Sequence, residues 1–329
     1  MAALPLNFSI EQGTARSTMK FVQIPAPDFD LAMTLKSGQV FHWEKIDNGF
    51  CGTIGDRAVH AEQVGKVIKV RGGETPQPAR ETRALRNIVA DYFALDHLLS
   101  EICASFPNDP TMNAARDFCR GLRIIRQPKW ECLATFICSS VKQVAHIRQI
   151  SRALRERFGD ARKIDHYTVY TFPSQAQLAK SSEKELRECA LGYRAANLLA
   201  TARLVHSRAA DLDALAALSD VDLREKLCEL PGVGAKVANC VMLFAYERLR
   251  AFPIDVWIER VLKEKYFRRR RKVTGQRLRA FSETYFGKHS GYAQQYLFHH
   301  ARMNKTHAYG GRRAVGRQKV GHNSACPSR

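Results

Sequence analysis

The sequence predicts an α+β protein in which a small antiparallel β-rich domain precedes an all-helical domain. Between Phe21 and Val70, short alternating apolar runs are separated by glycine, aspartate and asparagine, as is typical of antiparallel strands. From about Asn108 onward, apolar residues recur at the three- and four-residue spacing of helices. A chain of 329 residues is long enough to bury a core in each domain.

The β-rich domain is expected over residues 21–105, after a polar and disordered leader over residues 1–20. Its strands are assigned to the runs FVQI, VFHWEKI, FCGTI and KVIKV. A loop over residues 72–78 then leads to a helix at about Glu81–Phe93. The pattern therefore predicts strands first and one helix at the end of this domain.

The helical domain is expected over residues 106–302. Residues 303–329 contain basic but no acidic residues, with two adjacent glycines, and are expected to form a disordered basic tail. Five consecutive cations at Arg268–Lys272 are expected to form a solvated face or turn, with phosphate contact and nuclear targeting as less favoured interpretations.

The charge of the chain favours a polyanionic partner. Lysine and arginine outnumber aspartate and glutamate 52 to 32, which gives a formal charge of +20 and a pI near 9.8. Charge alone suits DNA, RNA or a membrane surface equally well. Because no run of 18 apolar residues and no secretory signal is recognised, we expect an intracellular protein without a membrane partner. The nine scattered cysteines indicate reduced thiols.

Two helices and the turn between them form a phosphate-binding motif. Ser219, with Asp222 three residues on, marks the start of a helix that is expected to end near Cys228. The sequence LPGVGAK then turns, and Gly234 opens the next helix. This helix-hairpin-helix places the N–H groups of Gly232 and Gly234 at a helix N-terminus, where they and the helix dipole suit one DNA phosphate.

Two ionisable residues follow this turn at a spacing that suits catalysis. Lys236 lies in the first turn of the second helix, where the helix dipole and partial burial disfavour an ammonium and favour a nucleophilic amine. Asp255 is expected to cap another helix, with its carboxylate stabilised as the anion. Each also has a simpler interpretation, Lys236 as a surface lysine that touches phosphate and Asp255 as a helix cap only. The spacing of LPGVGAK and PIDVW favours catalysis.

Five separated motifs, in the same order, resemble those of the 8-oxoguanine DNA glycosylases of the helix-hairpin-helix (HhH-GPD) superfamily. Besides the hairpin region they are LKSGQVFHW (35–43), similar to the family's first-strand signature, GLRIIRQPKWECLATFICSS (121–140), ALGYRAANLLATAR (190–203) and GYAQQYLFHHAR (291–302). The resemblance implies a monomeric base-excision repair enzyme that excises 8-oxoguanine from double-stranded DNA and nicks the strand through a Schiff base, acting as both glycosylase and lyase.

The resemblance also implies a pocket for a base that is flipped out of the duplex. The base would lie between the Phe298 ring and the Cys240 sulfur, and Gln294 would read its Watson–Crick edge. The carbonyl of Gly38 would accept the N7 hydrogen that 8-oxoguanine carries and guanine lacks. On the sequence alone, Phe298 and Cys240 are also ordinary core residues, and Gly38 is also a glycine that starts a strand.

In the mechanism that the resemblance implies, Lys236 attacks the sugar C1′ while Asp255 stabilises the positive charge that develops on the sugar. Backbone carbonyls in the hairpin are implied to hold a structural monovalent cation, and other residues to contact DNA. The carbonyls belong to Cys228, Leu230 and Val233; the DNA contacts are Gly232, Val233, Gly234, Val237, Trp257, His146, Tyr193 and Arg194.

The chain departs from the better-known eukaryotic members at the contacts with the opposite strand. Val141 replaces a gap-filling asparagine, and His146 replaces an arginine that faces the orphaned cytosine, so a weaker preference for cytosine is expected. Tyr193 remains as a wedge and Arg194 as one cytosine contact. Trp257 replaces a phosphate-binding histidine whose aspartate partner is also absent, which resembles the bacterial branch.

Two other functions stay open at the level of sequence. One is a monofunctional glycosylase of the same fold that acts on alkylated bases, against which Lys236 argues; the other is a non-catalytic helix-hairpin-helix DNA-binding protein. Some relatives carry an iron–sulfur cluster held by four closely spaced cysteines after this domain, but only Cys326 lies beyond Cys240. We therefore expect no cluster, no zinc and no required cofactor.

Overall fold

A five-stranded antiparallel sheet precedes a mainly helical region, which confirms the predicted α+β fold class. The predicted leader over residues 1–20, Val141 and the basic run Arg268–Lys272 lie outside the described residues. The computed structural model describes residues 21–73, 78–139, 143–267 and 273–314.

The sheet has the strand order β1-β5-β4-β3-β2, and all neighbouring strands are antiparallel. Gly55 and Gly65 have positive φ in the two-residue turns on either side of β4, as tight hairpins require. Ala61 of β4 faces Val70 of β5, and both are fully buried in the core of the sheet. The strands are β1 (Val22–Pro25), β2 (Glu44–Ile46), β3 (Gly49–Ile54), β4 (Arg57–Val64) and β5 (Val67–Gly72).

The segment VFHW is irregular, so the strand predicted there is wrong over its first four residues. A short helix, α1 (Leu31–Lys36), ends just before it, and Gly38 turns the chain with φ of +90°. The side chain of Gln39 then donates to the Arg123 carbonyl and accepts from the Ile125 N–H, each at 2.8 Å. Because partners distant in sequence hold this segment, Gly38 lies in a turn and does not start a strand.

The helical region packs around its own hydrophobic core, which also takes in Leu99 and Ile102 from the range predicted for the β-rich domain. The helix predicted from Glu81 starts three residues earlier, at Pro78. The helices after the sheet are α2 (Pro78–Tyr92), α3 (Leu99–Ala104), α4 (Pro110–Phe118), α5 (Lys129–Cys138), α6 (Val144–Phe158), α7 (Gln175–Lys180), α8 (Glu183–Leu186), α9 (Arg194–His206), α10 (Asp220–Cys228), α11 (Ala235–Ala245), α12 (Val256–Val261), α13 (Gly275–Tyr285) and α14 (Ser290–Ala314).

Two features of the helical region differ from the prediction. It is not all-helical, because a hairpin of β6 (Ala161–Ile164) and β7 (Tyr167–Tyr170) lies between α6 and α7, and Ile164 packs against Cys51 and Ala58 of the sheet. The tail predicted from residue 303 is helical as far as Ala314. A glycine costs a helix only about 1 kcal/mol relative to alanine, so a glycine pair does not by itself end one. Within the described ranges, no helix combines the length and the apolarity needed to cross a bilayer.

A buried polar junction fixes α5 against the sheet. Arg155 of α6 donates to Glu131 of α5 and, at 2.9 Å, to the Thr53 hydroxyl of β3. His42 lies 3.4 Å from the same carboxylate. Burial raises the pKa of Glu131, against the opposing charge of Arg155, and lowers the pKa of His42. The junction holds α5 in place, and the end of α5 reaches the candidate site.

Candidate active site

The hairpin between α10 and α11 presents a helix N-terminus that has no side-chain cap. Ser219 caps α10 by accepting from the Asp222 N–H at 3.2 Å, as predicted. Gly232 has φ of +81°, and a Cβ there would meet Asn197 Cβ at 2.9 Å, so the turn requires glycine. Gly234 caps α11 with no side-chain acceptor, and space around it is open. The first N–H groups of α11 are thus placed to bind an external anion.

Lys236 is half-buried in the first turn of α11, where its amine meets the end of α5. Its Nζ donates to the Ser139 hydroxyl oxygen at 3.1 Å and lies 5.2 Å from the centroid of the Phe136 ring. Cys240 is buried one turn further along α11. Burial raises the pKa of the Cys240 thiol to about 11, although the charge of Lys236 opposes the shift. Cys240 is therefore a neutral thiol beside the amine at physiological pH.

Asp255 caps α12, as the sequence predicts, and lies close enough to Lys236 for the two charges to interact. Its carboxylate accepts from the Trp257 N–H at 3.0 Å and the Ile258 N–H at 2.9 Å. Burial raises the pKa of Asp255 above its ordinary value, while the Ile258 hydrogen bond and the Lys236 charge oppose the shift. The expected stabilisation of the anion is therefore present but outweighed, because the cap is more buried than its sequence indicates.

The inner face of α14 carries the candidate base-reading residues. Gln294 is buried, and its Oε1 has no hydrogen-bond partner among the described residues. Phe298, one turn on, is half-buried and packs against the helical core. A Cβ on Gly38 would meet the Phe298 ring at 3.0 Å, so the turn at Gly38 lies directly against α14. An orphaned buried amide oxygen is costly unless a ligand or water satisfies it.

The turn at Gly38 is anchored to α14 by its neighbouring carbonyls. Gln295 donates to the Ser37 carbonyl at 3.2 Å, and Arg302 donates to the Lys36 carbonyl. No hydrogen bond to the Gly38 carbonyl forms within the described parts of the chain. The acceptor that the family resemblance assigns to the base is thus held in place beside Phe298, and it has no donor among the described residues.

Arg302 belongs to the same site, although the sequence analysis does not identify it as a site residue. Its guanidinium carbon lies 5.4 Å from the centroid of the Phe298 ring, and its Nη1 would lie 2.7 Å from a Cβ on Gly38. Burial lowers the pKa of Arg302 to about 10, and the opposing influence of Asp255 indicates that this carboxylate is near. The four-residue spacing of Gln294, Phe298 and Arg302 on one helix is the signal that could have identified it.

The four side chains predicted to contact DNA outside the hairpin are not equally exposed. His146 on α6 is exposed, Tyr193 before α9 is 61% exposed, and Trp257 is half-buried. Arg194 is 5% exposed; its guanidinium carbon lies 4.3 Å from the Tyr193 ring centroid, and Nη1 donates to the Leu191 carbonyl at 3.3 Å. Arg194 therefore packs directly on Tyr193 and is the most buried of the four.

The hairpin also contains the three carbonyls predicted to hold a monovalent cation. The Val233 N–H donates to the Leu230 carbonyl at 3.1 Å, so these two residues close the turn on each other. A carbonyl oxygen has two lone pairs, so Leu230 keeps one for a cation. In the described portion of the chain, no cluster of three or more histidine, cysteine, aspartate or glutamate residues could hold a metal ion.

Comparisons with known proteins agree with this arrangement. Residues 21–133 match the family model "8-oxoguanine DNA glycosylase, N-terminal domain", and residues 134–285 match "HhH-GPD superfamily base excision DNA repair protein". The chain is 31% identical to an N-glycosylase/DNA lyase of Saccharomyces cerevisiae over 263 residues, which are 72% of this chain and 68% of the yeast protein. It is 28% identical to a probable N-glycosylase/DNA lyase of Methanothermobacter thermautotrophicus over 309 residues, 86% of this chain and 96% of that protein.

A solved structure extends the similarity to three dimensions. It is the Clostridium acetobutylicum 8-oxoguanine glycosylase/lyase, in complex with double-stranded DNA that contains cytosine opposite 8-oxoguanine. The TM-score is 0.79 at 29% sequence identity, and the match covers 87% of this chain and 96% of the clostridial protein.

Proposed function

Because the chain belongs to the 8-oxoguanine glycosylase/lyase family of helix-hairpin-helix base-excision repair proteins, we propose that Lys236 is its nucleophile and Asp255 its charge-stabilising carboxylate. The protein is a DNA-repair enzyme that excises 8-oxoguanine from DNA and cleaves the strand as a lyase. One observation carries the assignment of the site. The Lys236 amine and the Asp255 carboxylate, at two helix N-termini, are close enough for their charges to interact, and α14, which packs on α12, carries Gln294 with a buried amide oxygen that has no partner among the described residues.

The flipped base is bound by Cys240 of α11, by Gln294 and Phe298 of α14, and by the turn at Gly38. Gln294 Oε1 is an acceptor without a donor in the described ranges, and guanine presents N–H donors on its Watson–Crick edge, so the two are complementary. The Gly38 carbonyl accepts from the N7–H of the lesion and repels the N7 lone pair of normal guanine. Phe298, which packs against the helical core, supplies an aromatic face on which the base stacks, and the family resemblance assigns the other face of the base to the neutral thiol of Cys240.

The chemistry begins when the neutral amine of Lys236 attacks C1′ and the bond from C1′ to the base nitrogen breaks. The base leaves with the bonding electrons and takes up a proton, while Asp255 stabilises the positive charge on the sugar. Loss of a proton from the attached nitrogen and opening of the sugar ring give the Schiff base. Abstraction of a C2′ proton then expels the 3′ phosphate, which nicks the strand.

The hairpin and the exposed Tyr193 hold the DNA around this centre. The first N–H groups of α11 bind one phosphate, with Gly232, Val233, Gly234 and Val237 along the contact. The carbonyls of Cys228, Leu230 and Val233 would hold a monovalent cation, which would add positive charge near the same phosphate. Trp257 contributes its indole N–H to the backbone contact. Tyr193 fills the gap left by the base.

The enzyme acts as a monomer inside the cell, where its substrate is. A net charge of +20 supports binding to duplex DNA through many phosphates. One chain supplies the amine, the carboxylate and the base-reading residues, so the site is complete without a second copy. Analytical ultracentrifugation of the free protein and of its complex with DNA tests the monomeric state.

Base release and strand nicking on four matched duplexes test the proposed activity. The duplexes carry 8-oxoguanine, guanine, 3-methyladenine or an abasic site at one position, and the two products are measured separately. We expect release and nicking with 8-oxoguanine, nicking with the abasic site, and neither product with guanine or 3-methyladenine. Release of 3-methyladenine without nicking would instead identify an alkylated-base glycosylase, and binding without any product a non-catalytic DNA-binding protein.

Gln294→Ala and Phe298→Ala are expected to weaken recognition of the lesion more than general affinity for DNA. These residues face the flipped base, whereas the hairpin faces the phosphate backbone. Loss of one base–aromatic stack is worth about 1–3 kcal/mol. Single-turnover excision from 8-oxoguanine duplex, compared with the Kd for undamaged duplex, measures the difference. Parent-like excision by both variants would show that the two residues are only core, and Phe298→Leu separates stacking from filling of the space.

Discrimination between cytosine and the other bases opposite the lesion is expected to be modest. A neutral histidine at position 146 offers one N–H donor, where arginine offers five. Arg194 is held against Tyr193 and Leu191, so Arg194→Ala is expected to flatten the remaining preference by disturbing the wedge. Single-turnover excision from duplexes with each of the four opposite bases provides the measurement. A preference for cytosine above roughly a thousandfold, or about 4 kcal/mol, would contradict the expectation.

A further inference from the structure

Ser139 lies at the end of α5, and its hydroxyl hydrogen is used in a hydrogen bond within that helix. It caps the helix, its N–H donates to the Phe136 carbonyl at 3.2 Å, and its Oγ donates to the same carbonyl at 2.7 Å. The side chain is buried, so water does not compete for this hydrogen bond. A hydroxyl whose only hydrogen is used in this way can act towards a third group only as an acceptor.

That third group is the Lys236 amine, whose Nζ donates to Ser139 Oγ at 3.1 Å. A neutral amine has two hydrogens and one lone pair. Because Ser139 can only accept, this contact uses a hydrogen of the amine and leaves its lone pair available for attack. Had the serine hydrogen pointed at the amine, it would have occupied the lone pair that the reaction needs.

Phe136 contacts the amine from the same face of α5. Its ring lies three residues before Ser139, stacks on Phe244 with a centroid distance of 5.4 Å, and has its centroid 5.2 Å from Lys236 Nζ. Residues three apart on a helix are neighbours, so ring and hydroxyl form one cradle for the amine. The buried junction of Glu131 and Arg155 holds α5 against the sheet and thereby fixes the cradle.

We propose that Ser139 is a positioning residue for the reaction: its oxygen, with its own hydrogen held by the Phe136 carbonyl, orients the Lys236 amine with the lone pair available to C1′. This inference rests on the proposed function, in which Lys236 is the nucleophile. The inference adds that efficient attack by Lys236 also requires a hydrogen-bond acceptor on α5. Misplacement of a nucleophile by about 1 Å costs roughly a hundredfold in rate.

The variant that tests the proposal is Ser139→Ala, and the chain offers a matched control in Ser181→Ala. Ser181 caps α7 in the same way, is similarly buried, and donates from Oγ to the carbonyl three residues before it at 2.7 Å. That serine has no hydrogen bond to a lysine amine in the described structure. Any loss of stability from removing a buried capping hydroxyl should therefore appear in both variants. A difference between their trapping rates should arise only from the contact of Ser139 with Lys236.

The measurement is the rate at which borohydride traps the protein on a duplex with a preformed abasic site. This substrate has no base to recognise, so the rate reports the amine and not the base pocket. We expect Ser139→Ala to trap about 10- to 100-fold more slowly than the parent and than Ser181→Ala. Excision of 8-oxoguanine should fall by a similar factor, with the Kd for lesion duplex within about twofold of the parent.

Trapping by Ser139→Ala at the parent's rate, or an equal loss in Ser181→Ala, would overturn the proposal. If Ser139→Ala does not fold, Ser139→Cys is judged by the same criterion, because a thiol nearly keeps the volume but is a weak acceptor. Lys236→Gln in the same assay distinguishes a failure of the positioning role of Ser139 from a failure of the proposed function. If Lys236→Gln is inactive and Ser139→Ala is normal, only the positioning role fails; if Lys236→Gln also traps, the proposed function fails.

Discussion

Replacing Lys236 by glutamine abolishes both base excision and strand nicking, with lesion-containing DNA still bound. The side chain supplies the attacking amine, and its contacts among the described residues, which include a hydrogen bond to Ser139, the face of the Phe136 ring and the Cys240 thiol, are all within the protein. We therefore expect a loss of roughly a thousandfold or more in single-turnover excision, equivalent to at least about 4 kcal/mol in the barrier. Binding to 8-oxoguanine duplex, measured by fluorescence anisotropy, should change little because glutamine fills a similar volume.

Lys226→Gln is the matched control for this variant. Lys226 lies on α10 of the same hairpin but is exposed and pairs with Glu229 at 3.0 Å. The Lys226→Gln substitution also removes one positive charge from the hairpin, so a general electrostatic effect on DNA binding would appear in both variants. Turnover by Lys236→Gln at the rate of Lys226→Gln would mean that another group is the nucleophile.

Replacing Asp255 by asparagine slows excision by roughly a hundredfold to a thousandfold, the range found when one preorganised charge stabiliser is removed. Asparagine is an equally good helix cap, so the bonds from the Trp257 and Ile258 N–H groups to this side chain can persist. The loss should therefore lie in the chemical step, with little change in the Kd for lesion duplex. Asp211→Asn is a suitable control, since Asp211 accepts from the N–H groups of Asp213 and Ala214 on the surface.

The raised pKa of Asp255 predicts two effects of pH. Excision by the parent needs the carboxylate ionised, so its rate should fall on acidification at a pH above the ordinary aspartate value of 3.8, and this limb should be absent from the Asp255→Asn profile. For stability the sign is opposite to that of a salt-bridged carboxylate. A raised pKa in the folded state adds stability below the unfolded pKa, and this stability is lost as pH rises through the folded value.

The variant Asp255→Asn should accordingly be at least as stable as the parent at neutral pH, and this relative gain should shrink in acid. Melting temperatures of both proteins between about pH 4 and pH 8 test the sign. A variant that loses more stability at neutral pH than in acid would show that the carboxylate is stabilised as the anion after all.

Local signals in the sequence were sufficient for the parts of the site that lie next to one another along the chain. The cap at Ser219, the turn at Gly232 and the cap at Asp255 are each set by a few residues, and the structure has all three where the sequence predicts them. The spacing of Gln294 and Phe298 likewise places them on one helical face. The family resemblance supplied their roles, which remain proposals for this chain.

Contacts between distant segments could not be predicted in this way. Segment 40–43 is irregular because Gln39 pairs with residues more than 80 positions away. The contact between Ser139 and Lys236 spans 97 positions, and Arg302 reaches a carbonyl 266 positions away. The chemistry of the amine therefore depends on the packing of α5 against α11, which no local pattern in either helix specifies.

Borohydride trapping on a duplex with 8-oxoguanine opposite cytosine is the most direct test of the central claim, that Lys236 attacks the sugar as the base departs. The proposed mechanism predicts one covalent adduct between protein and DNA, formed at the rate of base release and mapped by peptide mass spectrometry to Lys236. Base release with no adduct would mean that water is the nucleophile, and an adduct mapped to any other residue would place the catalytic amine elsewhere in the protein.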